Sequence, residues 1–249
     1  MNRPMPVVLV TCEHARGRVP LPYSGLFRNS RKILTSHHAY DIGAEALSSA
    51  MARRLDGESV RLSFTWTRLL IDANRSLSNP HVFSRFSRRL PEAKKRNLLE
   101  RYYLPYRSTV RKCVDHWMKQ GKTVIHLSVH TFTPVWKGLK RRTDIGFLYD
   151  PSRKTEKRFI LAWKTILHRS RPDLVIRRNA PYRGVSDGLA AALRREYGER
   201  HFIGLELEVN QKFPKRKTPE WSAIKRELAE SFRLTVDVYA QTDARRNLV

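Results

Sequence analysis

The sequence predicts a single α/β domain built on a largely parallel β-sheet. Short apolar runs rich in β-branched residues alternate along the chain with longer segments whose apolar residues recur at helical spacing. This alternation is typical of parallel sheets covered by helices. The chain has 249 residues, which is enough for one large domain with a sizeable core. No repeat, linker or low-complexity segment divides it, so the domain is expected to span residues 1–249.

Six segments of the chain are predicted to form strands. Each is a short apolar run, flanked by polar or turn residues, of the kind that becomes buried in a sheet. The predicted strands cover residues 6–11, 60–71, 123–129, 144–149, 173–176 and 202–209. The last of them differs from the others because two glutamates interrupt its apolar run, FIGLELEV.

Helices are predicted in the intervening segments. They cover residues 42–55, 91–121, 154–168, 186–197 and 218–239. Ser186-Asp187 is expected to cap the fourth helix, Thr218-Pro219-Glu220 to open the last, and Pro105 to kink the second. Basic residues far outnumber acidic ones between positions 85 and 122, where the apolar residues keep helical spacing. These basic side chains are therefore expected on the outer face of a packed helix.

The composition is strongly basic. Lys and Arg number 49 against 23 Asp and Glu, which gives a formal net charge of +26. Such a charge attracts polyanions without specificity, and it also attracts small acidic substrates. The two cysteines, Cys12 and Cys113, exclude a disulfide framework and a four-cysteine zinc module. No apolar stretch approaches the roughly 20 residues of a bilayer span, so a cytoplasmic protein with no membrane partner is expected.

Polar residues directly follow several of the predicted strands. In open α/β sheets, ligands bind beyond the carboxyl ends of the strands. One polar strand end means little because loops are polar anyway, but four of them favour a shared crevice. The residues at these ends are Glu13-His14, Asp72-Asn74-Arg75, His130 and Glu206-Glu208-Asn210.

Three histidines and one aspartate near these ends each have two interpretations. His14 and His130 could ligate a metal through a neutral ring nitrogen, or could bond to backbone as loop histidines. His126 lies within an apolar strand run and is expected to be a hydrogen-bonded core residue. Asp41 precedes a predicted helix, so it could cap that helix or supply the carboxylate of a metal site.

Glu206 and Glu208 are two residues apart on a predicted strand, so their side chains share a face. A carboxylate buried without a partner costs several kcal/mol when ionised, and burial raises its pKa. Such a residue usually has a partner cation, a metal or a catalytic task. The alternative, for one of the two, is an edge strand whose polar face meets water.

Arg75 and Cys12 complete the candidates at the strand ends. Arg75 suits bidentate capture of a carboxylate or polarisation of a carbonyl, and the alternative is an ion pair with Asp72 that stabilises a turn. Cys12 suggests a thiol nucleophile, but no His–Asn pairing pattern supports that role. The sequence contains neither a glycine-rich phosphate loop nor a serine nucleophile elbow.

Seven short motifs follow one another in collinear order over residues 7–211. They are Cys12-Glu-His14 with Pro20, His38-Ala-Tyr-Asp-Ile-Gly43, Arg68-Leu-Leu-Ile-Asp-Ala-Asn-Arg75, His130-Thr, Asp144-Ile-Gly146, Asn179-Ala-Pro-Tyr182 and Glu208-Val-Asn-Gln211. Together they resemble the N-formylglutamate amidohydrolase family. The resemblance implies a three-layer α/β/α sandwich with a mixed, largely parallel sheet, similar to the fold of zinc carboxypeptidases and aspartoacylases. In those relatives an Asp-x-Asn-Arg segment grips the substrate, as residues 72–75 would here.

The resemblance also implies a divalent metal, Zn²⁺ or another, at the strand ends. Zinc carboxypeptidases and aspartoacylases take two ligands from a His-x-x-Glu segment, but no carboxylate stands three residues after His14. His14 and His130 are therefore the expected imidazole ligands, and the third ligand must come from elsewhere. Asp41 is the first choice because it lies in another motif, and Glu13 is the second.

The implied reaction is hydrolysis of N-formylglutamate or a similar small, acidic N-acyl amino acid. Glu208 would serve as the general base, and Arg75 would stabilise the oxyanion or hold the substrate carboxylate. The residues expected to bind substrate are Asn74, Arg142, Asn179 and Tyr182. A hypothesis of a different class is a basic, non-catalytic nucleic-acid or polyanion binder on the same fold, which would bind in a strongly salt-dependent way.

Overall fold

Six strands form the central sheet in the order β2-β1-β3-β8-β6-β7. The computed structural model describes residues 5–215 and 219–246. Within the sheet β6 and β8 pair antiparallel and every other pair of neighbours is parallel. The strands are β1 (Val7–Cys12), β2 (Ser59–Ser63), β3 (Val124–Phe132), β6 (Ile145–Leu148), β7 (Ile176–Arg178) and β8 (Phe202–Asn210). A separate hairpin pairs β4 (Val135–Trp136) with β5 (Leu139–Lys140).

Helices cover both faces of this sheet. They are α1 (Ala44–Arg53), α2 (Glu92–Leu98), α3 (Leu104–Lys119), α4 (Lys154–Ser170), α5 (Leu189–Glu196), α6 (Lys212–Lys215) and α7 (Pro219–Arg246). Alternate residues of β1 divide between the faces, since Val8 and Val10 join a core cluster with α1, α4 and α7. Val7 and Leu9 join another cluster with α3 and α5. This alternation follows from the two-residue period of a strand, and it confirms the predicted mixed sheet between two helical layers.

A third apolar cluster lies beside the sheet. The short 3₁₀ helices Leu21–Phe27 and Arg31–Thr35 and the segment 64–90 supply most of its residues. They pack against the π-helical segment Leu99–Tyr103, which joins α2 to α3. A π-helical turn is wider than an α-helical one, and this one comes just before Pro105, which has no N–H to donate to a preceding carbonyl. The predicted break near Pro105 therefore takes the form of a π segment.

Three expectations about local structure are wrong. The strand predicted over 60–71 ends at Ser63, because Leu70 and Ile71 bury their side chains in the third cluster and not in the sheet. The strand predicted over 173–176 is instead β7, after a turn. Helix α5 is preceded by Gly188 with no cap from its own segment. The first backbone N–H of α5, that of Leu189, instead donates a hydrogen bond to the side-chain oxygen of Asn74.

The helices predicted over 42–55, 91–121 and 154–168 agree with the structure to within two residues at each end. Helix α7 extends seven residues beyond the predicted end at 239, and α6 was not predicted. Thr218, expected to help open the last helix, lies outside the described residues, and α7 is described from Pro219. None of the helices within 5–215 and 219–246 is both long and apolar enough to cross a membrane.

Candidate active site

A pocket of about 610 Å³ opens at the carboxyl ends of β1, β3 and β8. It gathers side chains that are far apart in the sequence, as expected for the edge where parallel strands end. Seven of the predicted site residues line it, and so does Glu206. These seven are His14, Asp41, Asn74, Arg75, His130, Tyr182 and Glu208.

His14, Asp41 and His130 form one buried group within this pocket. His14 follows β1, Asp41 lies in the turn before α1, and His130 is on β3. One ligand atom from each residue lies within 4.8 Å of the others. Nδ1 of His130 lies 2.9 Å from Oδ2 of Asp41, and Nδ1 of His14 lies 3.4 Å from the same oxygen. The two rings therefore present the same type of nitrogen to one carboxylate.

The second nitrogen of each ring contacts another buried carboxylate. Nε2 of His14 lies 2.7 Å from Oδ1 of Asp72, and Nε2 of His130 lies 3.1 Å from Oε2 of Glu13. A carboxylate partner fixes the ring orientation and keeps a proton on Nε2. Burial lowers the pKa of His130, but its hydrogen bonds to Asp41 and Glu13 together raise it well above the ordinary value.

Glu13 occupies a position behind His130, where it does not line the pocket. It is fully buried and also accepts a hydrogen bond from the hydroxyl of Tyr106 at 3.0 Å and one from Ser128. Burial by itself raises the pKa of Glu13. Its contacts with His130 and Ser128 outweigh this effect and hold the pKa below its ordinary range. Of the two predicted third ligands, Asp41 rather than Glu13 belongs to the three-residue group.

Arg68 holds the other side of the Asp41 carboxylate. Its Nη2 donates to Oδ1 of Asp41 and to the carbonyl of His37, while Nη1 lies 3.2 Å from Nδ1 of His14. Burial raises the pKa of Asp41, but Arg68 and His14 offset this and hold it well below its ordinary value. The capping role considered for Asp41 is not seen, since Gly43 (φ 90°) precedes α1 without a side-chain cap. No role for Arg68 was predicted, although it begins the motif 68–75.

Glu206 and Glu208 both face the pocket from β8. The edge-strand alternative is wrong, because β8 lies between β3 and β6. Oε2 of Glu208 is buried with no hydrogen-bond partner among the described residues. Burial, with smaller contributions from Asp41 and Glu206, raises the pKa of Glu208 to about 8. Burial also raises the pKa of Glu206.

Asn74 and Arg75 leave the turn after residue 71 in different directions. The side-chain nitrogen Nδ2 of Asn74 lies 3.4 Å from Nε2 of His130. Its side-chain oxygen Oδ1 accepts a hydrogen bond from the first backbone N–H of α5, that of Leu189, at 2.7 Å. Arg75 donates to the carbonyl of Asp187. The contacts that the structure gives for the described residues bond Asp72 to His14. They do not include the Asp72–Arg75 ion pair considered from the sequence.

Arg142 and Asn179, predicted to bind substrate, do not line the pocket. Arg142 is exposed, and its neighbour Arg141 instead contacts the pocket residue Tyr182. The side-chain oxygen of Asn179 accepts the amides of Tyr149 and Gly184, so it stabilises its own loop. Neither side chain is therefore among those that line the pocket in which substrate binding is proposed.

Cys12 is fully buried and does not line the pocket. Burial, with contributions from Glu13 and Asp41, raises the pKa of its thiol well above the ordinary value. A nucleophilic cysteine needs its thiolate form. The surroundings of Cys12 disfavour the thiolate, so they do not support a role for Cys12 as a nucleophile.

A histidine–aspartate–histidine group and a glutamate of raised pKa thus share one pocket on an α/β sheet, an arrangement typical of hydrolytic enzymes. The chain belongs to the N-formylglutamate amidohydrolase family, whose profile matches residues 6–213. It is therefore a member of a family of amidohydrolases. A comparison with curated proteins finds no match.

Two solved structures are similar to this chain over most of its length. The gene product Atu2144 from Agrobacterium tumefaciens is 26% identical, with a TM-score of 0.78 over 93% of this chain and 90% of that one. An N-formylglutamate amidohydrolase from Ralstonia eutropha JMP134 is 18% identical, with a TM-score of 0.71 over 96% of each chain. The second likeness shows that the fold is that of the family.

Proposed function

We propose that this protein is a metal-dependent amidohydrolase that cleaves N-formylglutamate or a similar small N-acyl amino acid. The observation that carries the proposal is the convergence of His14, Asp41 and His130 in the same pocket as Glu208, whose Oε2 has no hydrogen-bond partner among the described residues. Family membership supports an amide as the bond that is cleaved.

The donor set fits a divalent metal, with Zn²⁺ as the first choice. Around tetrahedral zinc, ligand atoms at about 2.0–2.1 Å from the ion lie about 3.3 Å from each other. The separations of 2.9 and 3.4 Å between the imidazole nitrogens and Oδ2 of Asp41 are close to this spacing. The carboxylates behind the two rings match the second shell that orients histidine ligands. Zn²⁺ in such a site acidifies water to a pKa of about 7 and polarises a carbonyl as a Lewis acid.

Glu208 is proposed as the general base. Its free oxygen in the pocket would take the proton from the attacking water and later deliver it to the leaving amine. Its raised pKa of about 8 lies near the operating pH, where a base also works well as an acid. A nearby divalent cation would lower this pKa, because an opposite charge favours the carboxylate.

Arg75 and Arg68 supply the positive charge that the reaction needs. Arg75 lines the pocket and is proposed to hold the substrate carboxylate or to stabilise the oxyanion. Arg68 is anchored on Asp41 and lies beside His14, so it is also placed to attract the carbonyl oxygen. Asn74 and Tyr182 are proposed to contact substrate from the pocket wall.

Hydrolysis of N-formyl-L-glutamate and other N-formyl amino acids, measured with and without added Zn²⁺, tests the proposal. Glu208→Gln should lower kcat by about 10²–10⁴-fold, because the base is lost while the shape is kept. Glu206→Gln is the matched control on the same face of β8, and it should retain far more activity. Full activity of Glu208→Gln would contradict the assignment of the base.

A second candidate function, polyanion binding, is supported by the basic residues exposed around α2. Arg88, Arg89, Lys94 and Arg96 all face solvent there, as predicted from the sequence. Tight binding to generic RNA that weakens steeply with salt, in a protein that holds no metal, would favour this candidate over the hydrolase.

A further inference from the structure

One wall of the pocket places three aromatic rings around a single guanidinium. Cζ of Arg141 lies 5.1 Å from the ring centre of Tyr182, 5.3 Å from that of Trp136 and 5.6 Å from that of Phe132. Nη1 of Arg141 also donates to the hydroxyl of Tyr182 at 3.1 Å. All three rings belong to residues that line the pocket. Arg141 therefore fixes the rings relative to one another, through cation–π contacts and one hydrogen bond.

Trp136 is presented to the pocket by a tight hairpin. Strands β4 and β5 are joined by Lys137 and Gly138, both with positive φ, as in the two-residue turns that favour hairpins. The amide of Arg141 donates to the carbonyl of Pro134 at 2.8 Å and closes the base of the hairpin. Trp136 is 51% exposed, so a large part of its ring is available to a ligand. Its position is set by the hairpin before any ligand arrives.

The pocket has room for more than a formyl group and a short side chain. Its volume of about 610 Å³ lies within the range of about 300–1,000 Å³ that holds drug-sized ligands. The faces of the aromatic rings carry partial negative charge, which disfavours a carboxylate stacked on them. Arg141, which contacts the rings, and the exposed Arg183, which lines the pocket, disfavour a cationic group. The exposed rings of Trp136 and Tyr182 suit stacking by a neutral planar group, while a carboxylate of the same substrate can pair with the arginines of the pocket.

We propose that the wall formed by the exposed rings of Trp136 and Tyr182, with the buried Phe132 beside them, binds the aromatic side chain of an N-acyl amino acid substrate. The inference rests on the proposed function, and it adds N-acyl amino acids with aromatic side chains to the substrate class, beside N-formylglutamate. Trp136 is the specificity-determining residue, because its exposed ring offers stacking area. Arg141 is a positioning residue that acts through the rings.

The test compares N-formyl-L-phenylalanine, N-formyl-L-glutamate and N-formylglycine as substrates of the zinc-loaded protein. Trp136→Ala should lower the ratio of kcat/KM for the phenylalanine compound to that for the glycine compound by about tenfold, the loss of one stacked aromatic contact. Trp136→Phe should restore most of the ratio. Val135→Ala is the control, since Val135 is also 51% exposed but does not line the pocket. An unchanged ratio in Trp136→Ala would overturn the inference.

Calorimetric binding of the same three compounds separates this inference from the proposed function. Tighter binding of N-formyl-L-phenylalanine than of N-formylglycine, lost in Trp136→Ala, would support the wall even in a protein that hydrolyses none of them. If all three compounds are hydrolysed with no such difference in binding or in kcat/KM, the inference about the aromatic wall is refuted and the proposed amidohydrolase function is retained. Equal binding, or no binding, of the phenylalanine and glycine compounds would also overturn it.

Discussion

The rings of His14 and His130 meet edge to face, with centroids 5.0 Å apart and planes inclined by 61°. In this arrangement each ring turns its Nδ1 toward Asp41 and its Nε2 toward a separate buried carboxylate. His14, which follows β1, and His130, which lies on β3, thus present the same ring nitrogen to Asp41. The central claim of the proposed function rests on this symmetry: the two Nδ1 atoms and Asp41 would together hold a divalent ion.

Removal of the carboxylate behind His14 should weaken metal binding. Asp72→Asn replaces the acceptor that orients His14 and raises its basicity, so zinc affinity should fall by about 10–100-fold. Competition with a chromophoric chelator measures the affinity. Asp150→Asn is the control, since Asp150 does not line the pocket. Equal zinc affinity of Asp72→Asn and wild type would show that Asp72 is not a supporting residue of the site.

Glu208 should make the metal-free protein less stable as the pH rises. Its pKa is about 8 in the folded protein against an ordinary 4.5, so between these values the folded state holds a proton that the unfolded state has lost. The free energy of unfolding therefore falls from about pH 5 to pH 8. Glu208→Gln cannot ionise and should lack this part of the slope, whereas the exposed Glu199→Gln should keep it. The measurement is the free energy of unfolding in urea of chelator-treated samples at each pH. Identical slopes of this free energy against pH for the wild type, Glu208→Gln and Glu199→Gln would refute the raised pKa of Glu208.

His126 should contribute the opposite dependence on pH. It is fully buried with Nε2 2.8 Å from the hydroxyl of Thr11, and burial lowers its pKa from 6.5 to about 4. Between these values the unfolded state binds the extra proton, so stability is complete above about pH 6.5 and declines as the pH falls. The loss is about 2 kcal/mol by pH 5. His126→Gln should remove it, and the exposed His116→Gln should not. A His126→Gln variant whose stability changes between pH 7 and pH 5 by the same amount as that of the wild type would contradict this account.

The sheet could be predicted wherever a run of apolar residues was long enough to be buried on both sides. Strands β1, β3 and β8 are such runs, and His14, His130 and Glu208 lie at or near their ends in the pocket. The run over 60–71 had the same composition, but only its first part pairs with β1. Its later residues found apolar partners in the third cluster. Composition alone cannot distinguish these two burial sites.

The supporting residues of the pocket were harder to predict than the ligand candidates. Asn74 accepts a hydrogen bond from an amide 115 positions away, and Arg68 bonds Asp41, which is 27 positions away. Such contacts depend on how the loops pack on one another, which hydrophobic periodicity does not encode. Arg141 was missed in favour of its neighbour Arg142 for the same reason, since the hairpin decides which of the two faces the rings.

The metal content of the purified protein tests the central claim most directly. Elemental analysis after dialysis should find about one divalent ion, Zn²⁺ as the first choice, per wild-type chain, as expected for a site of three protein ligands. His130→Ala should hold no such ion and should lose hydrolysis of N-formyl amino acids, while His116→Ala, an exposed control, should keep both. A His130→Ala variant that retains the ion and full activity would contradict the account.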